Sequence, residues 1–255
     1  MNYFFSVDNN EYKSELTIPK FKNKSLPSSK LNLYSLIADQ SRWVLEEVKT
    51  DQDKEFFYVN SNLSNDKIYF ISENKDFKFN KSNLEVIDNF TDTEPAFRSN
   101  LLIKNQEGGF SSYQSEYPHE MTLKKGNILS SLETLLNRKS DKNYIIFKNI
   151  FFKPVIEKFF GYLIDYENSK ILDKFELKTN LTNFVKINKE YINKNTFFFS
   201  YGYLGIPIFL NEIENNISLE HTHPLQLYIK GKEGFMKANE LKKNFVEIIN
   251  KYENL

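Results

Sequence analysis

Short apolar runs separated by clusters of Asn, Asp and Lys recur from Leu31 to Phe90, and this spacing limits the fold more than any other feature of the chain. Runs this short suit strands rather than helices, and polar breaks at close intervals suit hairpin turns, so the region reads as an antiparallel meander. Lys67-Ile68-Tyr69-Phe70-Ile71-Ser72 is its clearest strand. Downstream, Phe97 to Tyr117 reads as a hairpin. Phe97, Leu101 and Ile103 share one face, Arg98, Asn100 and Lys104 share the other, and Asn105 to Gly109 supply the turn. Further hairpins are expected about Tyr166 to Lys170, and between Ile206–Ile213 and Ile217–His223.

Two segments carry helical periodicity instead. Ile128, Leu129, Leu132, Leu135 and Leu136 draw one apolar stripe, with Asn127 as a cap and Ser130 with Glu133 spaced as a capping box. Leu241, Phe245, Ile248 and Tyr252 draw a second, which predicts a C-terminal helix over 237–254. The first 27 residues, broken by Pro19 and Pro27, read as an irregular segment. The polar stretch Asn137 to Asn143 is too short to mark a linker, and no repeat of fixed period stands out. The expectation is therefore one α+β domain over 1–255: a β-rich, mainly antiparallel sandwich or barrel-like core with a central helix and a C-terminal helix.

Composition narrows the setting. The chain has no cysteine, which excludes disulfides, thiolate metal sites and a cysteine nucleophile, and fits a reducing compartment. Basic and acidic residues balance at 34 each, so no overall field draws the chain to nucleic acid or to an anionic membrane. The N-terminus turns polar too early for a signal peptide. The most apolar stretch, Phe197 to Leu210, is interrupted by Gly202, Gly205 and Pro207 and reads as buried strands about a turn, not a membrane span. A soluble, cytoplasmic protein is expected.

The three histidines fall in two short segments, Glu116-Tyr117-Pro118-His119-Glu120 and Glu220-His221-Thr222-His223. On a strand, His221 and His223 project to one side, a geometry that grips a single ion; His119 would complete the set. His119, His221 and His223 would then hold a divalent Zn, Fe or Mn ion. Glu116 or Glu120 would act as further ligand or general base, and Arg98 would hold an anionic group of a small polar, carbohydrate-like substrate. A strand-borne His-x-His is similar to the first motif of the cupins. However, Leu227 and Tyr228 occupy the places of that motif's carboxylate, and no histidine follows His223, so the likeness stops at this segment. The other reading is a non-catalytic accessory or protein-interaction domain whose histidines are structural. Neither reading defines an oligomeric state.

Overall fold

The computed structural model describes residues 2–21, 30–60, 66–75, 81–84, 98–221, 228–231 and 234–254. Contacts divide the chain into two compact units. The first comprises Met1–Leu123 with Ile150–Ile156 and Asn180–Thr182, and the second holds the remainder.

The first unit contains β1 (Asn2–Phe5), β2 (Tyr12–Pro19), β3 (Asn32–Asp39), β4 (Arg42–Glu47), β5 (Asp51–Gln52), β6 (Phe56–Asn60), β7 (Ile68–Ser72), β8 (Asn100–Asn105), β9 (Phe110–Gln114), β10 (Tyr117–Pro118) and the one-turn helix α1 (His119–Thr122). They form two five-stranded sheets, β10-β1-β7-β3-β4 and β5-β6-β2-β8-β9. The N-terminal segment expected to be irregular thus supplies two strands. In β2, Tyr12, Ser14, Leu16 and Ile18 are buried while Lys13, Glu15 and Thr17 turn outward, an alternation that polar neighbours conceal in the sequence. Pro19 does not break this strand but ends it, at a position where no further ladder donor is needed. The β8–β9 hairpin forms as expected over its described residues, Phe97 lying outside them. Asn105 Oδ1 accepts from the backbone N–H of Gly109 at 2.8 Å, and Gly108 takes φ 91°.

The second unit contains β11 (Ile128–Ser131), β12 (Lys142–Lys148), β13 (Lys158–Asp165), β14 (Lys170–Lys178), β15 (Thr182–Lys186), β16 (Thr196–Tyr201), β17 (Ile206–Ile213), β18 (Asn216–His221), β19 (Tyr228–Gly231), β20 (Gly234–Lys237) and the helix α2 (Ala238–Glu253). Its larger sheets are β11-β16-β13-β14 and β15-β12-β17-β18, and β19-β20 is a separate hairpin. The hairpins expected about Tyr166–Lys170 and at the end of β17 are present. In the second, Glu214 and Asn215 take φ 47° and 67°, the positive values that a two-residue hairpin turn requires.

Four antiparallel sheets of four or five strands, the sheet complement of a four-bladed β-propeller, therefore stand in place of the expected sandwich or barrel-like core with a central helix. The one long helix among the described residues is C-terminal. The expected central helix is β11 followed by a single turn, in which Leu135 and Leu136 return N–H bonds to the Leu132 carbonyl. All five stripe residues are buried nonetheless. Pairing of Ile128–Ser131 with Phe197–Ser200 satisfies their burial as strand and turn, so tertiary context overrides the local helical spacing.

A repeat invisible in the sequence emerges from the topology. In chain order, β1, β2, β3, β4, β6, β7, β8 and β9 correspond to β11 through β18. One sheet reads β1-β7-β3-β4 and β11-β16-β13-β14; the other reads β6-β2-β8-β9 and β15-β12-β17-β18. The registered pairs in these sheets are antiparallel. The β12–β15 pair follows suit, since Ile187 N–H bonds the Asn143 carbonyl and Asn183 Nδ2 bonds the Phe147 carbonyl. The chain thus carries one eight-stranded plan twice.

In the second unit both faces of the sheet β11-β16-β13-β14 are covered. Phe197 and Phe199 turn to α2, each with its ring centroid 5.6 Å from that of Phe245. Phe198 turns the other way, 5.8 Å from Phe147 of β12. The chain returning into β17 passes directly over Phe147. A Cβ at Gly205 would lie 2.3 Å from the Phe147 ring and 2.7 Å from the Lys148 carbonyl oxygen. Because the carbonyl is backbone and the ring is held in a filled core, neither yields. Gly205→Ala is expected to destabilise the protein by about 1–3 kcal/mol, read as a lower urea midpoint at unchanged slope. A midpoint equal to wild type would contradict this packing.

Candidate functional site

The three histidines are placed differently from one another. His119 opens α1 in the first unit, directly after β10, and is 8% exposed. His221 is the last residue of β18 in the second unit and is exposed. His223 lies outside the described residues. Among the described residues, no group of three or more His, Asp or Glu side chains is placed to hold a metal ion.

The surroundings of His119 define its chemistry. Tyr3, fully buried on β1, places its hydroxyl 3.2 Å from His119 Nδ1. Burial pushes the Tyr3 phenol well above its ordinary pKa, so it keeps its proton, and the imidazole tautomer decides which group donates in the bond between them. A neutral imidazole accepting at Nδ1 carries its own proton on Nε2. Burial also lowers the pKa of His119 itself, against an upward pull from the exposed Glu120.

Arg98 and Glu116 come together at the mouth of the β8–β9 hairpin. Arg98 Nη1 donates to Gln114 Oε1 at 2.8 Å and lies 3.3 Å from Glu116 Oε1. Both side chains keep partial solvent access, so the pair contributes at most about 1 kcal/mol. Tyr113, on the intervening strand, is half-buried, and its pKa is raised by that burial, with Glu116 adding to the effect. The hairpin arm does run into His119, as the sequence order implies: β9, β10 and α1 follow one another within a few residues.

Two features carry no motif in the sequence. The first is aromatic and lies on the α2 side of the sheet β11-β16-β13-β14. Phe160 and Tyr201 are cross-strand partners and remain 36% and 38% exposed. Tyr252 of α2 is 50% exposed. The Lys174 ammonium sits 4.1 Å from the Phe160 ring centroid and donates to Glu253 Oε1 at 2.6 Å; Tyr162 donates to the same oxygen at 3.0 Å. The period-two spacing of Phe160 and Tyr162 could have signalled this face, but phenylalanine and tyrosine are too common in the chain for the signal to stand out.

The second is a cavity of about 410 Å³ between the start of β12 and the exit of β15, lined in part by Lys142, Asn143, Lys186 and Lys189. Lysine and asparagine are too abundant throughout the chain for these positions to stand out in the sequence.

No family model, curated protein or solved structure matches the chain. No helix among the described residues is long and apolar enough to cross a membrane.

The state of His119 gives a pH test. Its folded pKa lies below the ordinary 6.5, so the unfolded chain binds a proton that the folded chain refuses. Stability is therefore intact above that value and declines as pH falls through the lower folded pKa. His119→Gln, which keeps an acceptor for Tyr3, is expected to flatten the decline between about pH 7 and pH 5 in urea titrations. An unchanged slope would show that His119 is not buried neutral.

Proposed function

We propose that this chain is a non-catalytic, cytoplasmic protein-interaction module whose histidines are structural. The observation that carries the reading is the aromatic face left uncovered past the end of α2. Phe160 and Tyr201 stand side by side there, and Tyr252 of α2 is exposed, whereas the other large aromatics among the described residues are mostly buried. An exposed cluster of aromatic rings with a polar rim is the usual composition of a docking surface. The rim carries Lys158, Lys174 and Lys178 against Glu176 and Glu253, three positive charges to two negative. The partner that fits is a protein surface with an apolar centre and an acidic edge.

The histidine geometry supports the same reading. His119 is neutral, buried and held by Tyr3, as a packed structural residue would be. Arg98 is engaged by Gln114 and Glu116. The lack of cysteine fits the reducing cytoplasm.

Two measurements decide between docking and metal chemistry. A photo-crosslinking phenylalanine analogue at position 160, expressed in the native cell, is expected to give a discrete adduct with another polypeptide, diminished by Tyr201→Ser. Purified protein is expected to hold negligible Zn, Fe or Mn, with no difference in the His221→Ala, His223→Ala double variant. No adduct at 160, or a stoichiometric metal lost in the double variant, would overturn the reading.

A further inference from the structure

The strand β9 closes one side of the sheet β5-β6-β2-β8-β9 in the first unit. An edge strand presents a row of unpaired backbone groups, and proteins ordinarily block such rows with charge, proline, a bulge or short length. β9 has none of these devices. Its five residues, Phe110-Ser111-Ser112-Tyr113-Gln114, include no charge and no proline, and their register with β8 runs without a shift. The other edge strands differ. β4, β14, β15 and β18 carry charged side chains, β5 and β10 are two residues long, and β11 is buried throughout.

The ladder fixes which groups of β9 are open. Antiparallel bonds engage alternate residues. At one end of the hairpin the Asn105 N–H bonds the Gly109 carbonyl at 2.9 Å, and at the other the Ser115 N–H bonds the Ser99 carbonyl at 3.2 Å. The odd-numbered residues of β9 therefore face β8, and the N–H and C=O groups of Phe110, Ser112 and Gln114 point away from it. No described residue takes these outward groups. The side chains of the same three residues are exposed, Phe110 at 66%.

The outward positions are symmetric about Ser112. An antiparallel second copy with Ser112 on the two-fold axis sets Ser112 opposite the partner's Ser112 and Phe110 opposite the partner's Gln114, and so engages every outward group at once. Opposed side chains share a face, so the stem of the partner's Gln114 covers the Phe110 ring. Arg98 Nη1 already holds the Gln114 Oε1 at 2.8 Å, which steadies that stem beside the edge. The residue on the axis is small and uncharged, so no like charges meet there.

We propose that β9 pairs with β9 of a second copy of this chain, joining two five-stranded sheets into one continuous sheet across a symmetric dimer. The aromatic face lies in the second unit, so this pairing stands or falls separately from the docking reading.

Sedimentation of the full chain over a concentration series tests the pairing. Wild type and Tyr201→Ser are expected to pass reversibly from monomer to dimer. Ser112→Pro removes an outward N–H, and Ser112→Lys sets two ammonium groups against each other on the axis. Both are expected to stay monomeric, and the exposed Ser112→Lys to melt as the wild-type monomer. The register has its own test, because the chain has no cysteine. Opposed residues of a bonded pair lie about 5.5 Å apart, within disulfide reach, whereas the two copies of residue 111 are offset by two positions, about 8 Å. Mild oxidation is expected to link Ser112→Cys into a covalent dimer at least about tenfold faster than Ser111→Cys. Monomer mass at every concentration, a dimer retained in both Ser112→Pro and Ser112→Lys, or equal linking at 111 and 112 would each overturn the proposal.

Discussion

The aromatic seat of α2 organises the second unit. Phe245 inserts between Phe197 and Phe199 on one face of β16, while Phe198 on the opposite face meets Phe147 of the neighbouring sheet. A strand buried on both faces needs apolar residues at successive positions, and that is what the Phe197-Phe198-Phe199 run supplies. The helix covers Leu129, Tyr162 and Ile164 along with those rings. It stops short of Phe160 and Tyr201, so the feature that completes the core also determines where aromatic surface stays exposed. Burying one phenylalanine such as Phe245 contributes about 2–3 kcal/mol, a large share of the margin of any domain.

The legible parts of the fold were those in which local pattern and tertiary need agree. Ile68–Ser72, the Asn105–Gly109 turn, the Tyr166 hairpin and the C-terminal helix all combine a clear apolar pattern with suitable turn or periodic residues. Ile128 to Leu136 misled because burial at helical spacing can also be met by a strand followed by one turn. In β2 the opposite happened. Its inward positions include Ser14, and its outward ones are charged, so its two-residue period was diluted below recognition. The repeated plan was illegible for a related reason. It resides in which strands are neighbours, and strand order depends on long-range pairing that leaves no fixed spacing in the chain.

The site residues divide along the same line. Arg98 and Glu116 meet because they flank one hairpin, a relation that local sequence can imply. His119 and Tyr3 meet across more than a hundred residues, through the pairing of β1 with β10, which no local pattern encodes. That pairing turns a potential ligand into a buried side chain bonded to Tyr3. The lysine cavity depends likewise on β12 and β15 becoming neighbours.

Native-state amide hydrogen exchange tests the central place of the doubly covered sheet most directly. Opening β16 exposes both its α2 face and its Phe147 face, so the amides of Phe197 to Ser200 should exchange only through global unfolding of the second unit. The amides of the edge strands β14 and β18 should exchange through smaller openings. Exchange from Phe197 to Ser200 as fast as from those edges would contradict the account.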